Sequence, residues 1–129
     1  MKYAGVVEGI RATIAAYTQA LDDGRTDDVV ATFCRDGVCD IPGLGMHEGH
    51  AALRDAYAGW KPRRPVRHLV ANTLVTDWND HEVNAISDVI VLVQGDSGWA
   101  IQVVGRCHDT LHHDDGVWRF HRRAATFVQ

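Results

Sequence analysis

Apolar positions recur at three- and four-residue intervals up to about residue 60, and at every second residue beyond Pro65. The first spacing is that of helices and the second that of strands. Val7, Ile10, Ile14, Tyr17 and Leu21 lay one apolar stripe along a helix over about residues 3–22. Gly24 suits its end, because glycine tolerates the left-handed backbone of a helix C-terminus. Thr26 reads as the N-cap of a short second helix, with Asp27 and Asp28 in its first turn, where the helix dipole favours negative charge. Val29, Val30 and Phe33 supply its inner side, and Gly37 is expected to end it. A short strand over Val38–Ile41 and a Pro42-Gly43-Leu44-Gly45 turn follow. A third helix over about 49–60 presents Leu53, Ala56, Tyr57 and Trp60.

Beyond Pro65 the pattern predicts four strands, roughly 66–78, 82–94, 99–112 and 117–128. The separators Trp78-Asn79-Asp80-His81, Gln94-Gly95-Asp96-Ser97-Gly98 and Asp114-Asp115-Gly116 are short and rich in turn residues, as hairpins require. Three helices followed by an antiparallel meander make an α+β chain, with the helices on one face of a curved sheet. No linker or repeat divides it, so residues 1–129 are expected to form one domain. In the second strand Val83, Val89, Val91 and Val93 face one way, and Ile86, Ile90 and Leu92 the other. A sheet with one wet face alternates apolar with polar residues, and this strand does not. The helices cover one side only, so a second copy of the chain is expected on the other, making a homodimer. The alternative cover is the C-terminal strand or a loop folding back.

Composition narrows the classes. Apolar residues are 46% and charged residues 23%, which excludes a wholly disordered chain. The net charge of −4 argues against a general nucleic-acid binder. No apolar run reaches the length of a membrane helix, and Glu8 and Arg11 interrupt the N-terminal stretch, unlike a signal peptide. Three cysteines, Cys34, Cys39 and Cys107, do not build a disulfide framework, so a cytoplasmic setting is expected.

Three groups of residues could carry chemistry. Asp22 stands beside Asp23 at the end of the first helix, where the dipole disfavours a carboxylate; both also read as ordinary turn residues. His68 shares a strand face with Val66, Val70 and Asn72. A histidine there is either a hydrogen-bonded core residue or a base, its unperturbed pKa of about 6.5 suiting proton transfer. An aspartate that orients such an imidazole makes it effective. In the last strand, alternation groups Arg119 and Arg123 with His121, and Arg122 with Trp118, Phe120 and Ala124. An inward arginine would need a partner, and could hold an oxyanion or leaving group.

Eight histidines raise the question of a metal. His47 and His50 are close in sequence, and so are His108, His112 and His113. His108 and His112 would lie roughly 13 Å apart on one strand face, too far to share an ion held at about 2 Å. No metal and no cofactor is expected. The phosphate-loop, dinucleotide and nucleophile-elbow motifs are absent, and Cys107 reads as a buried inert thiol.

The segments Tyr17-Thr-Gln-Ala-Leu-Asp22-Asp-Gly-Arg25, Phe33-Cys-Arg-Asp36-Gly-Val-Cys-Asp40, Gly49-His-Ala-Ala-Leu53, Arg67-His68-Leu-Val-Ala-Asn72 and Asp115-Gly-Val-Trp118-Arg-Phe120, in this order, resemble the SnoaL-like branch of the nuclear transport factor 2-like superfamily. The resemblance implies a cone-shaped barrel with a pocket between the helices and the concave sheet. Scytalone dehydratase, hexachlorocyclohexane dehydrochlorinase and the bile-acid dehydratase are similar in carrying an Asp at the end of the first helix and a His on the first long strand. The matching positions are Asp22 and His68. The dehydrochlorinase's arginine is matched by Arg123. The Tyr that precedes the Asp in scytalone dehydratase is replaced by Leu21, and that enzyme's later histidine has no counterpart.

These readings converge on a cofactor-free lyase or isomerase acting on a small hydrophobic molecule. His68 would take a proton, Asp22 would orient it, and Arg123 would hold the developing charge. Tyr17, Asn72, Asp88 and Trp60 are the expected substrate contacts. The polyketide cyclases of the same branch use an aspartate acid/base for an aldol-type ring closure, and the resemblance leaves that chemistry open. The alternatives are a non-catalytic ligand- or partner-binding domain, or the small subunit of a ring-hydroxylating dioxygenase.

Overall fold

The computed structural model describes residues 1–128. Helix α1 (Tyr3–Asp22) buries Val6, Ile10, Thr13, Ile14, Tyr17, Thr18 and Ala20. It closes with Gly24 at φ +69°, the Arg25 amide donating to the Ala20 carbonyl at 2.9 Å and the Gly24 amide to Leu21 at 3.2 Å. That paired closure is the reason a glycine stands there. Helix α2 (Thr26–Ala31) follows directly. Its N-cap is Arg25, not Thr26: the threonine lies inside the helix, and its hydroxyl is buried without a partner.

Strand β1 (Phe33–Ile41) starts five residues earlier than the pattern suggests, and α2 is correspondingly shorter. The reason is tertiary. Phe33 pairs in parallel with Phe120 and is fully buried, so strand pairing overrides the helical spacing of Val29, Val30 and Phe33. Gly37 ends no helix. It sits where a Cβ would come within 2.9 Å of the Cys34 and Phe120 carbonyl oxygens. The Pro42–Leu44 turn leads to β2 (Gly45–Glu48), a short strand with no apolar alternation and therefore invisible to pattern. Helix α3 (His50–Gly59) follows.

The meander forms as expected: β3 (Val66–Trp78), β4 (Glu82–Gly95), β5 (Gly98–Asp114) and β6 (Val117–Phe127). Asp115 and Gly116 both have positive φ between β5 and β6, the backbone that a two-residue hairpin demands. The six strands form one sheet in the order β2-β1-β6-β5-β4-β3, antiparallel except for β1 on β6. The helices pack on one face, around Ile10, Phe33, Leu53, Leu111 and Phe120. Val66, Val89, Val91 and Cys107 form a second apolar cluster on the same face. Among the described residues no helix is long and apolar enough to cross a membrane.

Two of the sheet's bulges bear on the site, because they reset which face a strand presents there. In β3, Ala71 pairs with Asp88 and Leu74 with Ile86, so β3 has one residue more than its partner. Asn72 takes the extra step, with φ +56°. In β6, Phe120 pairs with Leu111 and Arg122 with Thr110, leaving His121 as the extra residue. An inserted residue inverts the alternation beyond it.

Candidate active site

A cavity of about 480 Å³ opens between α1, α3 and the sheet face carrying the second apolar cluster. Val66, Val70, Val89, Val91, Val93 and Val103 make its walls, and exposed Leu44, Arg63, Arg64 and Phe127 rim it. The basic run after α3 therefore borders the cavity through Arg63 and Arg64.

Asp22 and His68 meet at this wall. The His68 ring donates from Nδ1 to Asp22 Oδ1 at 2.6 Å, and the His68 backbone amide donates to Asp22 Oδ2 at 3.0 Å. Both carboxylate oxygens are thus used by one residue. The Asp22 side chain is 7% exposed and that of His68 23% exposed. The geometry follows from the sequence: α1 places Asp22 in its last turn, and the inward parity of Val66, His68 and Val70 puts the imidazole beside it. With the proton held on Nδ1, Nε2 is the nitrogen left to accept another, and His68 lines the cavity.

Arg123 lines the same cavity and is 4% exposed. Alternation alone assigns the inward place to Arg122. The His121 bulge reverses this, so that Arg123 joins Trp118 and Phe120 inside while Arg122 reaches exposed Asp40 at 2.6 Å. Arg123 donates to Asp109 Oδ2 at 3.2 Å and to Cys107 Sγ at 3.1 Å. Its guanidinium carbon lies 4.5 Å from the Tyr17 ring centre and 4.7 Å from that of Phe120. Burial works against the Arg123 charge, but Asp109 and the neighbouring thiol and phenols outweigh it and hold the guanidinium protonated. Burial pushes Asp109 up to about 6, against the pull of Arg123. Its Oδ1 is buried without a partner.

Asp109 was not among the residues expected at the site. A signal existed: Cys107, Asp109 and Leu111 share one parity in β5, and a carboxylate on that face requires a counter-charge. Tyr17 and Trp60 line the cavity as expected. The Tyr17 and Tyr57 hydroxyls are 2.5 Å apart, and Cys39 Sγ lies 3.3 Å from the Tyr57 oxygen. Only if Cys39 donates to Tyr57, and Tyr57 to Tyr17, does Tyr17 keep its proton for a ligand. Burial raises both phenols above their ordinary range, so they remain protonated donors at neutral pH. Cys107 also lines the cavity, and burial raises its thiol, consistent with an unreactive sulfur.

Two expected contacts lie elsewhere. Asn72 and Asp88 do not line the cavity. The bulge at Asn72 takes it off the His68 face, and Thr73 and Val75 replace it on the inner side. Asn72 donates to Asp88 at 2.8 Å, and Arg106 pairs with the same carboxylate at 3.0 Å. Those partners hold the Asp88 carboxyl below its usual range. All three belong to the opposite face of the sheet, so the assignment of Asn72 and Asp88 as cavity contacts is corrected. Of the histidines compared by spacing, His47 bonds to the Leu44 carbonyl, His50 to the Phe33 carbonyl and His108 to the Thr126 hydroxyl.

A family model described as a SnoaL-like domain matches residues 6–124. No curated protein matches the sequence. Among solved structures, a candidate scytalone dehydratase from Novosphingobium aromaticivorans is 22% identical, with a TM-score of 0.86 over 100% of this chain and 89% of that one. ActVI-ORFA from Streptomyces coelicolor is 22% identical, with a TM-score of 0.84 over 95% and 97% of the two chains. The beta subunit of a candidate aromatic-ring-hydroxylating dioxygenase from N. aromaticivorans is also 22% identical, with a TM-score of 0.84 over 99% and 93%. At these identities the structural likeness establishes the fold.

Proposed function

Because the chain belongs to the SnoaL-like domain family, we propose that its cavity is the active site of a small-molecule lyase or isomerase acting on a hydrophobic carbon acid. One observation carries this reading: the 2.6 Å Asp22–His68 hydrogen bond at the wall of an otherwise apolar cavity. In the proposed reaction His68 Nε2 takes a proton from a carbon beside a carbonyl or leaving group. Asp22 keeps the other ring proton on Nδ1 and stabilises the imidazolium that forms. Arg123 offers its remaining N–H groups to the oxyanion or departing group, in a site dry enough to strengthen that attraction. Tyr17 assists as a second donor, and Trp60 shapes the cavity. Elimination, isomerisation and aldol-type ring closure all begin with this proton transfer. A cytoplasmic setting is part of the reading and rests on three buried free thiols.

Deuterium exchange tests the proposal. A panel of apolar aromatic and polycyclic ketones and β-hydroxy carbonyl compounds is incubated in D2O with the wild-type chain or with His68→Ala. Exchange at the carbon next to the carbonyl, by the wild type alone, is the expected result. A ligand that binds without exchanging favours the non-catalytic binding domain instead. The dioxygenase-subunit reading rests on likeness of fold to the beta subunit named above, and predicts association with a second, iron-bearing chain.

The sheet face opposite the cavity supports a homodimer. Leu69, Ile90 and Val104 pair across β3, β4 and β5, and Leu92 pairs with Ile101 beside them. Leu69 is 52% exposed and Ile101 63% exposed. A contiguous apolar surface of this kind marks an interface. Light scattering at micromolar concentration is expected to give twice the chain mass, and Leu69→Lys with Ile90→Lys to give the chain mass. A wild-type monomer would refute the dimer.

A further inference from the structure

Three side chains from three strands converge on the sheet face away from the cavity. Cys34 of β1, His112 of β5 and His121 of β6 each present a ligand atom within 4.8 Å of the others. We propose that they form a zinc site, with Cys34 as thiolate and the two imidazoles as nitrogen donors. This does not rest on the proposed activity.

The donor set carries the argument first. One sulfur and two nitrogens suit a borderline-soft divalent ion, and zinc takes such ligands in a tetrahedron with solvent free to fill a fourth place. Half-exposed His112 leaves that place open to water. Tetrahedral bonds of about 2.0–2.3 Å put the donors roughly 3.3–3.8 Å apart, so the three have only a short distance to draw in.

The surroundings point the same way. His112 Nε2 lies 3.3 Å from Glu82 Oε1, so a proton held there leaves Nδ1 for an ion. A carboxylate behind a ligating histidine fixes its tautomer and raises its basicity. His121 Nδ1 is buried with no hydrogen-bond partner, and the nearest carboxylate oxygen, on Asp36, is 4.0 Å away. A buried ring nitrogen left unsatisfied is costly, and an ion would satisfy it. The His112 and His121 rings now stack, with centres 4.1 Å apart and planes 11° apart. Ligation requires them to turn out of that stack, which partial exposure of both permits.

The position in the fold gives the site a role. The β1–β6 pairing is irregular between Phe33 and Val38, and Cys34 lies in that stretch. His121 is the residue of β6 that no partner in β5 matches. Bulges commonly re-aim a side chain, and this one supplies a donor where backbone pairing lapses. An ion here would tie β1, β5 and β6 together, on the opposite side of the sheet from His68. The sequence conceals the set because its members are 78 and 87 residues from Cys34.

Titrating chelator-treated protein with Zn2+ and with Co2+ tests the site. One equivalent should bind, the Co2+ form should show a thiolate-to-metal absorption band in the near ultraviolet, and the melting temperature should rise. Cys34→Ser should abolish the band. His121→Gln and His112→Gln should each weaken binding at least tenfold, as even loss of an outer partner costs about 10–100-fold. His47→Gln should change nothing. If Cys34→Ser does not fold, the two histidine variants, at partly exposed positions, decide the matter. Absence of the thiolate band in the wild type, or binding unaltered by His112→Gln and His121→Gln, would overturn the proposal.

Discussion

Replacing His68 with alanine is expected to reduce turnover of any substrate by about 10²–10⁴-fold, the range that loss of a general base produces. That factor corresponds to roughly 3–5 kcal/mol of barrier. The fold should survive, since the side chain stands at a cavity wall and its one side-chain partner is Asp22. The deficit should appear in kcat more than in KM, because the imidazole acts on the reacting proton. Asp22→Asn should lower turnover as well, by removing the charge that steadies the imidazolium. Asp22→Ala should also loosen the join between α1 and β3, since the carboxylate receives the His68 backbone amide. Near-wild-type exchange kinetics in His68→Ala would remove the basis of the proposed chemistry, whatever the variant's stability.

The second large effect is on stability. Arg123→Met leaves Asp109 buried beside an apolar side chain, and breaking a buried pair in this way typically costs about 3–5 kcal/mol. The loss should depend on pH. In the folded wild type Asp109 sits at about 6, above the roughly 3.9 of an unfolded aspartate. The native chain therefore binds more protons than the unfolded chain between those values. The stabilising contribution is complete below about pH 4 and is lost as pH rises through about 6. Removing the arginine pushes Asp109 further in the same direction. The Arg123→Met deficit should thus be largest at pH 8 and smaller at pH 5, where the carboxyl can be neutral. Adding Asp109→Asn should recover much of it at pH 8. Denaturant unfolding of the three proteins at both pH values measures this; an equal deficit at pH 5 and pH 8 would show that Asp109 is not the group left stranded.

Where local pattern and tertiary pairing agree, sequence predicts this structure well. The α1 stripe ends at Asp22, the parity of β3 carries His68 inward, and the two meet as the family resemblance implied. The two misassigned faces share one cause. A strand's alternation carries no mark of an inserted residue, so Asn72 was expected to share the His68 face, and Arg122 the core face that Arg123 occupies. Only the register against β4 and β5 reveals the extra step. The family resemblance identified Arg123 where parity failed, because it compares positions and not faces. β2 and the start of β1 were missed because Gly45-Met46-His47-Glu48 has no period and Phe33 suits either a helix or a strand. Asp109 lay within reach of parity but was not singled out.

The bulge in β6 also bears on how this chain tolerates changes of length. Losing one residue inside a strand normally turns every later side chain to the wrong face. At His121 the arithmetic runs the other way. Phe120 already faces Leu111, and Arg122 already faces Thr110. Excising His121 would therefore join two matched halves into an unbroken ladder with β5, leaving Phe120 and Arg123 on the inner side. The strand can thus shorten by one residue at this point while keeping the cavity's arginine in place, and what it would surrender is the imidazole beside His112.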